Sequence, residues 1–170
     1  PTIAPYLLPR FFQQLSEKHT DLDIRMLEMK TAPTMAALQN GEIDAAIIAN
    51  QPTESYLQGD ILYYEQFFGY VAHNESIFKK DLIRTADIND ERLWLLDEGH
   101  CFRDQLMRFC QMEKVKVRQA AYRLGSLETF MRMVESGNGI TFIPELATLQ
   151  LSKEQKELVR PFAIPKPTRE

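Results

Sequence analysis

Scarcity marks this 170-residue chain first: two cysteines, three histidines, seven glycines and nine prolines. Two cysteines build no disulfide scaffold, so Cys101 and Cys110 are either small buried hydrophobes or a reactive pair. Basic surplus is missing too. Lysine and arginine total 20 against 24 aspartates and glutamates, a formal charge of -4, so the chain by itself is not expected to hold a phosphate backbone. No apolar run approaches the roughly 18 residues that cross a bilayer, and Pro1 opens no signal-peptide pattern. The expectation is a soluble, cytoplasmic chain with no membrane contact. His19, His73 and His100 lack metal-site spacing, and G-x-S-x-G, a glycine-rich phosphate loop and C-x-x-C are all missing, so no metal or cofactor is implied. What is present, 44% hydrophobic and 26% charged residues, suits an ordinary core and excludes disorder.

Periodicity organises that material. Leu8, Phe11, Phe12 and Leu15 fall at helical spacing, with Thr2 ahead as a candidate cap, and predict a helix ending near His19. Leu22, Ile24 and Met26 alternate like a strand; Thr31 and Pro33 open a short helix closing at Gly41; Ala45 to Ala49 is strand-like again. The alternation continues through Phe67 to Ala72, Leu93 to Leu96, Cys101 to Met112, Gln119 to Leu124, Leu127 to Ser136 and Ile140 to Pro144. Such order predicts an α/β fold on mostly parallel sheets. It breaks at the loop from Asn50 to Asp60, which places a hinge between two subdomains near Glu65, the alternative being one continuous sheet. Lys153 to Glu157 reads as a solvated helix face, and Ser126 with Glu128 as the capping of the helix they open.

One constellation carries chemistry. Asp97-Glu98-Gly99-His100-Cys101-Phe102-Arg103-Asp104-Gln105 lies where an apolar strand ends and the amphipathic run Phe102, Leu106, Phe109 begins. Cys101 would sit at a helix N-terminus, where free N–H groups and the helix dipole favour thiolate, with Arg103 and a protonated His100 adding positive charge. Asp97, Glu98 and Asp104 push the other way. The plain alternative is a cysteine packed at a strand-to-helix turn. An exposed thiol with a second one nine residues on also suits a peroxide sensor, which must form sulfenic acid and trap it.

Gly99-His100-Cys101-Phe102-Arg103-Asp104-Gln105 followed by Phe109-Cys110 resembles the redox segment of the OxyR family, the hydrogen-peroxide-sensing LysR-type transcription regulators. Residues 1–9, Leu38 to Asp44, Ser126 to Thr129 and Gly137 to Thr141 extend the resemblance over essentially the whole chain. The resemblance implies two periplasmic-binding-protein-like (Rossmann-like) subdomains joined by crossover strands. Residues 1–64 would form the first, rejoined by the end near 165–170, and residues 65–164 the second, carrying the cysteines. It implies that Cys101 is peroxidatic and Cys110 resolving, and that Thr2 and Thr31 share a peroxide pocket with His100, against the alternative that both threonines cap helices. Arg103 and Asp104 carry over as neighbours that stabilise the thiolate or relay a proton, or else pair with each other on an exposed turn.

The family's N-terminal winged helix-turn-helix is absent from this chain, which reads as starting inside the first sheet strand and stopping before the last family elements. The implied function is a sensor, not an enzyme: oxidation forms a reversible Cys101–Cys110 disulfide and rearranges a homodimer, a tetramer in the full-length protein. Promoter DNA is then engaged through the absent domain, RNA polymerase contact changes, and a thiol-disulfide reductant resets the switch. A LysR-type domain binding a small organic effector, with incidental cysteines, is the alternative; a free-standing thiol peroxidase is a third reading that no motif supports.

Overall fold

A computed structural model describes residues 2–50, 52, 54–97, 100–110 and 126–170. Its sheet is organised by β1 (Glu65–Val71), whose residues from Phe67 to Val71 are aromatic, small or β-branched and pack on both faces. β2 (Ile140–Pro144) pairs with it from Phe67↔Pro144 to Val71↔Ile140. On the other edge, β3 (Val159–Pro161) sets Tyr70 opposite Val159, and β4 (Thr168–Arg169) sets Glu65 opposite Arg169.

All three ladders are antiparallel, not parallel as the alternating order suggested. Strand–helix–strand order fixes direction only where one crossover joins neighbouring strands, and β1 is flanked by strands from much later in the chain. Parallel contact survives as two bridges, Leu93↔Ile140 and Ile83↔Phe162. The expected strand at Leu93 to Leu96 is therefore a buried extended segment beside β2, held by Trp94 N–H donating to the Ile140 carbonyl at 2.8 Å.

Helix α1 (Ala4–Lys18) ends at His19 as its spacing predicts, and α2 (Thr31–Gln39) ends at Asn40 before Gly41, whose φ of 69° is the left-handed turn glycine makes at least cost. Neither threonine caps these helices: the N-caps are Ile3 and Lys30, without a side-chain cap bond. The strands expected at Leu22 to Met26 and Ala45 to Ala49 have no ladder partner among the described residues and are assigned no strand. Alternation prepares a strand, but only a hydrogen-bonding neighbour makes one.

Helix α3 (Cys101–Phe109) packs Phe102 and Leu106 against the sheet, and α4 (Leu127–Glu135) buries Leu127, Phe130, Met131 and Val134 on one face. Ser126 caps α4 by accepting from Thr129 N–H at 3.2 Å, whereas Glu128 pairs with Arg132 one turn on. Short helices α5 (Glu145–Thr148) and α6 (Lys153–Lys156) lead into β3, and α6 is the solvated run read in the sequence. The expected strand at Gln119 to Leu124, and the last residues expected of α3, lie outside the described residues.

Phe67, Tyr70, Phe102, Phe142 and Phe162 anchor one hydrophobic cluster spanning the sheet, α3 and α4. Phe102 meets Phe67 edge-on at 4.9 Å, and Phe109 meets Phe162 edge-on at 5.4 Å, so both ends of α3 are fixed by aromatic contacts. Among the described residues, no helix is long and apolar enough to cross a membrane. The architecture is a mixed helix-and-sheet, periplasmic-binding-protein-like fold.

Candidate functional site

His100 adopts an extended backbone as the N-cap of α3, its carbonyl accepting from Arg103 N–H at 3.0 Å, which makes Cys101 the first residue of the helix. The thiol is free and half-buried at the positive end of the helix dipole. Burial first, and then the positive charge of Lys30, lower the His100 pKa from 6.5. His100 is therefore a neutral imidazole near pH 7 and not the extra positive charge that the sequence suggested; it can donate or accept a hydrogen bond.

Cys110 is the C-cap of the same helix, its N–H donating to the Leu106 carbonyl at 2.8 Å. Burial pushes its thiol up to about 11, so it is protonated at neutral pH. Nine residues of continuous helix put the two Cα atoms about 13 Å apart along the axis and on opposite sides. A disulfide needs them within about 7 Å. The structure therefore keeps the cysteines apart, at two ends of one packed helix.

Arg103 is buried and Asp104 exposed, both in the first turn of α3. Thr2 is buried. Its Oγ1 accepts from Arg169 Nη1 at 3.2 Å and its carbonyl from Arg169 Nη2 at 3.2 Å. Arg169 in turn donates from Nε to Glu65 Oε1 at 2.6 Å in an ion pair only 2% exposed on either side, and its guanidinium lies 5.6 and 5.7 Å from the ring centroids of Phe67 and Phe102. A chain of contacts thus runs from Thr2 through Arg169 to the residue beside Cys101.

Thr31 lines a cavity of about 580 Å³ together with Gln105, Arg108, Asn50 and Arg169. Gln105 reaches across it, donating from Nε2 to the Ala49 carbonyl at 2.7 Å and to Asn50 Oδ1 at 2.8 Å, while its own Oε1 is buried without a hydrogen-bond partner. Sequence reading missed Glu65, Arg169 and this role of Gln105. Arg169 lies 104 and 167 residues from its partners, and no local pattern marks such contacts.

Residues 1–170 match the LysR substrate binding domain family, and the chain belongs to it. Reduced OxyR from Porphyromonas gingivalis is 56% identical, with a TM-score of 0.90 over 100% of this chain and 77% of that one. Within the family, then, this chain falls in the OxyR group. The transcriptional dual regulator OxyR of Escherichia coli K12 is 32% identical over 99% of this chain and 55% of its own length. A hydrogen peroxide-inducible genes activator from Haemophilus influenzae is 31% identical over 99% of this chain and 56% of its own. The chain spans about half the length of these curated relatives.

Proposed function

We propose that this chain is the peroxide-sensing regulatory domain of a transcription regulator, with Cys101 peroxidatic and Cys110 resolving. The observation that carries the reading is one intact helix with a free cysteine on its first residue and another on its C-cap. The Cys101 thiolate attacks one peroxide oxygen, the O–O bond breaks, and hydroxide leaves to become water, with sulfur oxidised to sulfenic acid. The Cys110 sulfur then attacks Cys101, displacing the hydroxyl as water, so two thiols and one peroxide give one disulfide and two waters.

The second step requires α3 to open. Opening exchanges the burial of Phe102, Leu106 and Phe109 for a covalent bond, and it also relieves the burial that holds the Cys110 proton in place. Thr2, Thr31 and neutral His100 orient the peroxide; Arg103 and Asp104 support the thiolate at the first turn. Residues 1–64 with 165–170 form one subdomain and residues 65–164 the other, with Arg169 bonded both to Thr2 of the first and to Glu65 at the start of the second. Opening of α3 repacks a homodimer in the cytoplasm, and a winged helix-turn-helix outside this chain carries the change to promoter DNA and RNA polymerase. A cellular thiol reductant closes the cycle, so the domain senses without turning over.

Intact mass after stoichiometric peroxide tests this: loss of two hydrogens in the wild type and none in Cys101→Ser is expected, and no loss in the wild type would overturn it. The cavity beside Thr31 favours a second reading, a small organic effector bound there. An effector that raises the melting temperature while peroxide leaves the mass unchanged would select it.

A further inference from the structure

We infer that Glu65 is a positioning residue for peroxide reduction, acting through Arg169 on the Thr2 hydroxyl; this rests on the sensing role proposed above. A hydroxyl that accepts a charge-assisted bond has its own proton turned away from the donor and made a better donor. Arg169 gives Thr2 Oγ1 that bond and fixes the Thr2 carbonyl with a second one. The Thr2 O–H is then turned away from Arg169 and left to donate to the peroxide oxygen that departs as hydroxide when sulfur attacks.

A guanidinium this deeply buried stays in place only if its charge is compensated. Glu65 supplies the compensation, and its own position is over-determined: Oε1 takes Arg169 while Oε2 accepts from Leu146 N–H at 3.2 Å, tying the carboxylate to the start of α5. Pairing of Glu65 with Arg169 across β1 and β4 fixes the same contact through the backbone. Without the carboxylate, Arg169 would withdraw toward water, leaving Phe102 and releasing Thr2, while α3 would stay held by Phe102 on Phe67 and Phe109 on Phe162 with Cys101 at its N-terminus.

The test measures Cys101 oxidation by hydrogen peroxide, read by sulfenate trapping in a Cys110→Ser background, against alkylation by iodoacetamide, which needs the thiolate but no peroxide geometry. In folded Glu65→Gln the peroxide rate should fall about tenfold, the scale of a lost orienting contact, with alkylation changed less than twofold. Glu65→Asp, which keeps the charge on a shorter arm, should fall in between and serves alone if the glutamine variant does not fold. In a Thr2→Val background either change should add nothing, because both act on one hydroxyl. An unchanged ratio of peroxide to alkylation rate in a folded Glu65 variant, or effects of Glu65 and Thr2 that multiply, would overturn the assignment. A wild type with no preference for peroxide would remove the sensing role itself and this inference with it.

Discussion

Three stretches of this chain read as strands in the sequence and end in different states. Phe67 to Ala72 falls largely within β1 and the core, paired on both edges. Leu22 to Met26 and Ala45 to Ala49 form no strand, with Leu22, Met26 and Ile47 exposed, as are Leu27, Ile61, Leu62 and Tyr64 nearby. Apart from Tyr6, the hydrophobic cluster begins at residue 67. The difference shows that burial in this molecule follows from having a neighbour, and that the contacts joining residues 2–64 to the core include Tyr6, Arg169 and Gln105.

The largest consequence is expected in hydrogen exchange. Amides of β1, bonded on both edges, should exchange about a hundredfold or more slowly than those of residues 22–30 and 42–48. Equal protection would erase the contrast. Core truncation should separate the regions next: Phe142→Ala, 1% exposed and stacked on Phe162, should cost about 3 to 5 kcal/mol in urea unfolding, whereas Leu62→Ala, 68% exposed, should stay within about 0.5 kcal/mol.

A smaller effect probes the joint between the regions. Gln105→Leu removes two hydrogen bonds of about 1 kcal/mol each and recovers part of that by deleting a buried carbonyl oxygen without a partner. The net of about 1 kcal/mol should speed disulfide closure about fivefold, measured by quenched mass analysis after peroxide. Closure at the wild-type rate would show that the Gln105 contact does not restrain α3.

The smallest effect is a pH dependence. Because burial lowers the His100 pKa below 6.5, the unfolded chain binds a proton that the folded one refuses, and stability contributed by neutral His100 is lost as pH falls through 6.5 toward the folded value. Wild type should lose more stability than His100→Gln between pH 7 and 5.5. Parallel losses would mean that the imidazole is solvated in the folded protein.

Helices were legible from their spacing and end signals, and α1, α2, α4 and the start of α3 fall where the sequence put them, although of these only α3 and α4 bury an apolar face in the core. Strand direction was not, since antiparallel pairing of β1 depends on residues about 70 and 90 positions away, beyond any local pattern. The site divides the same way. Cys101, Cys110 and His100 lie within one run of sequence; Cys101 opens α3 where the sequence put the helix start, whereas Cys110, expected inside a helix running to Met112, is its C-cap. Glu65 was read only as a hinge, although it is half of a buried ion pair, and the protonated His100 considered from sequence gives way to burial and Lys30.

That ion pair has a consequence for the chain during its synthesis. Thr2, Glu65 and Arg169 meet only after residue 169 has joined residues 2 and 65, so a nascent polypeptide can form the helix of Cys101 well before it has a guanidinium on Thr2. On the sensing role proposed above, a half-made domain would then hold an ordinary cysteine that peroxide finds slowly, which would protect it from being oxidised before its partner thiol is correctly placed. The full chain in urea imitates that stage: Cys101 should there react with peroxide at the rate of a simple thiol, and a rate as fast as in the folded protein would show that the local run of sequence suffices.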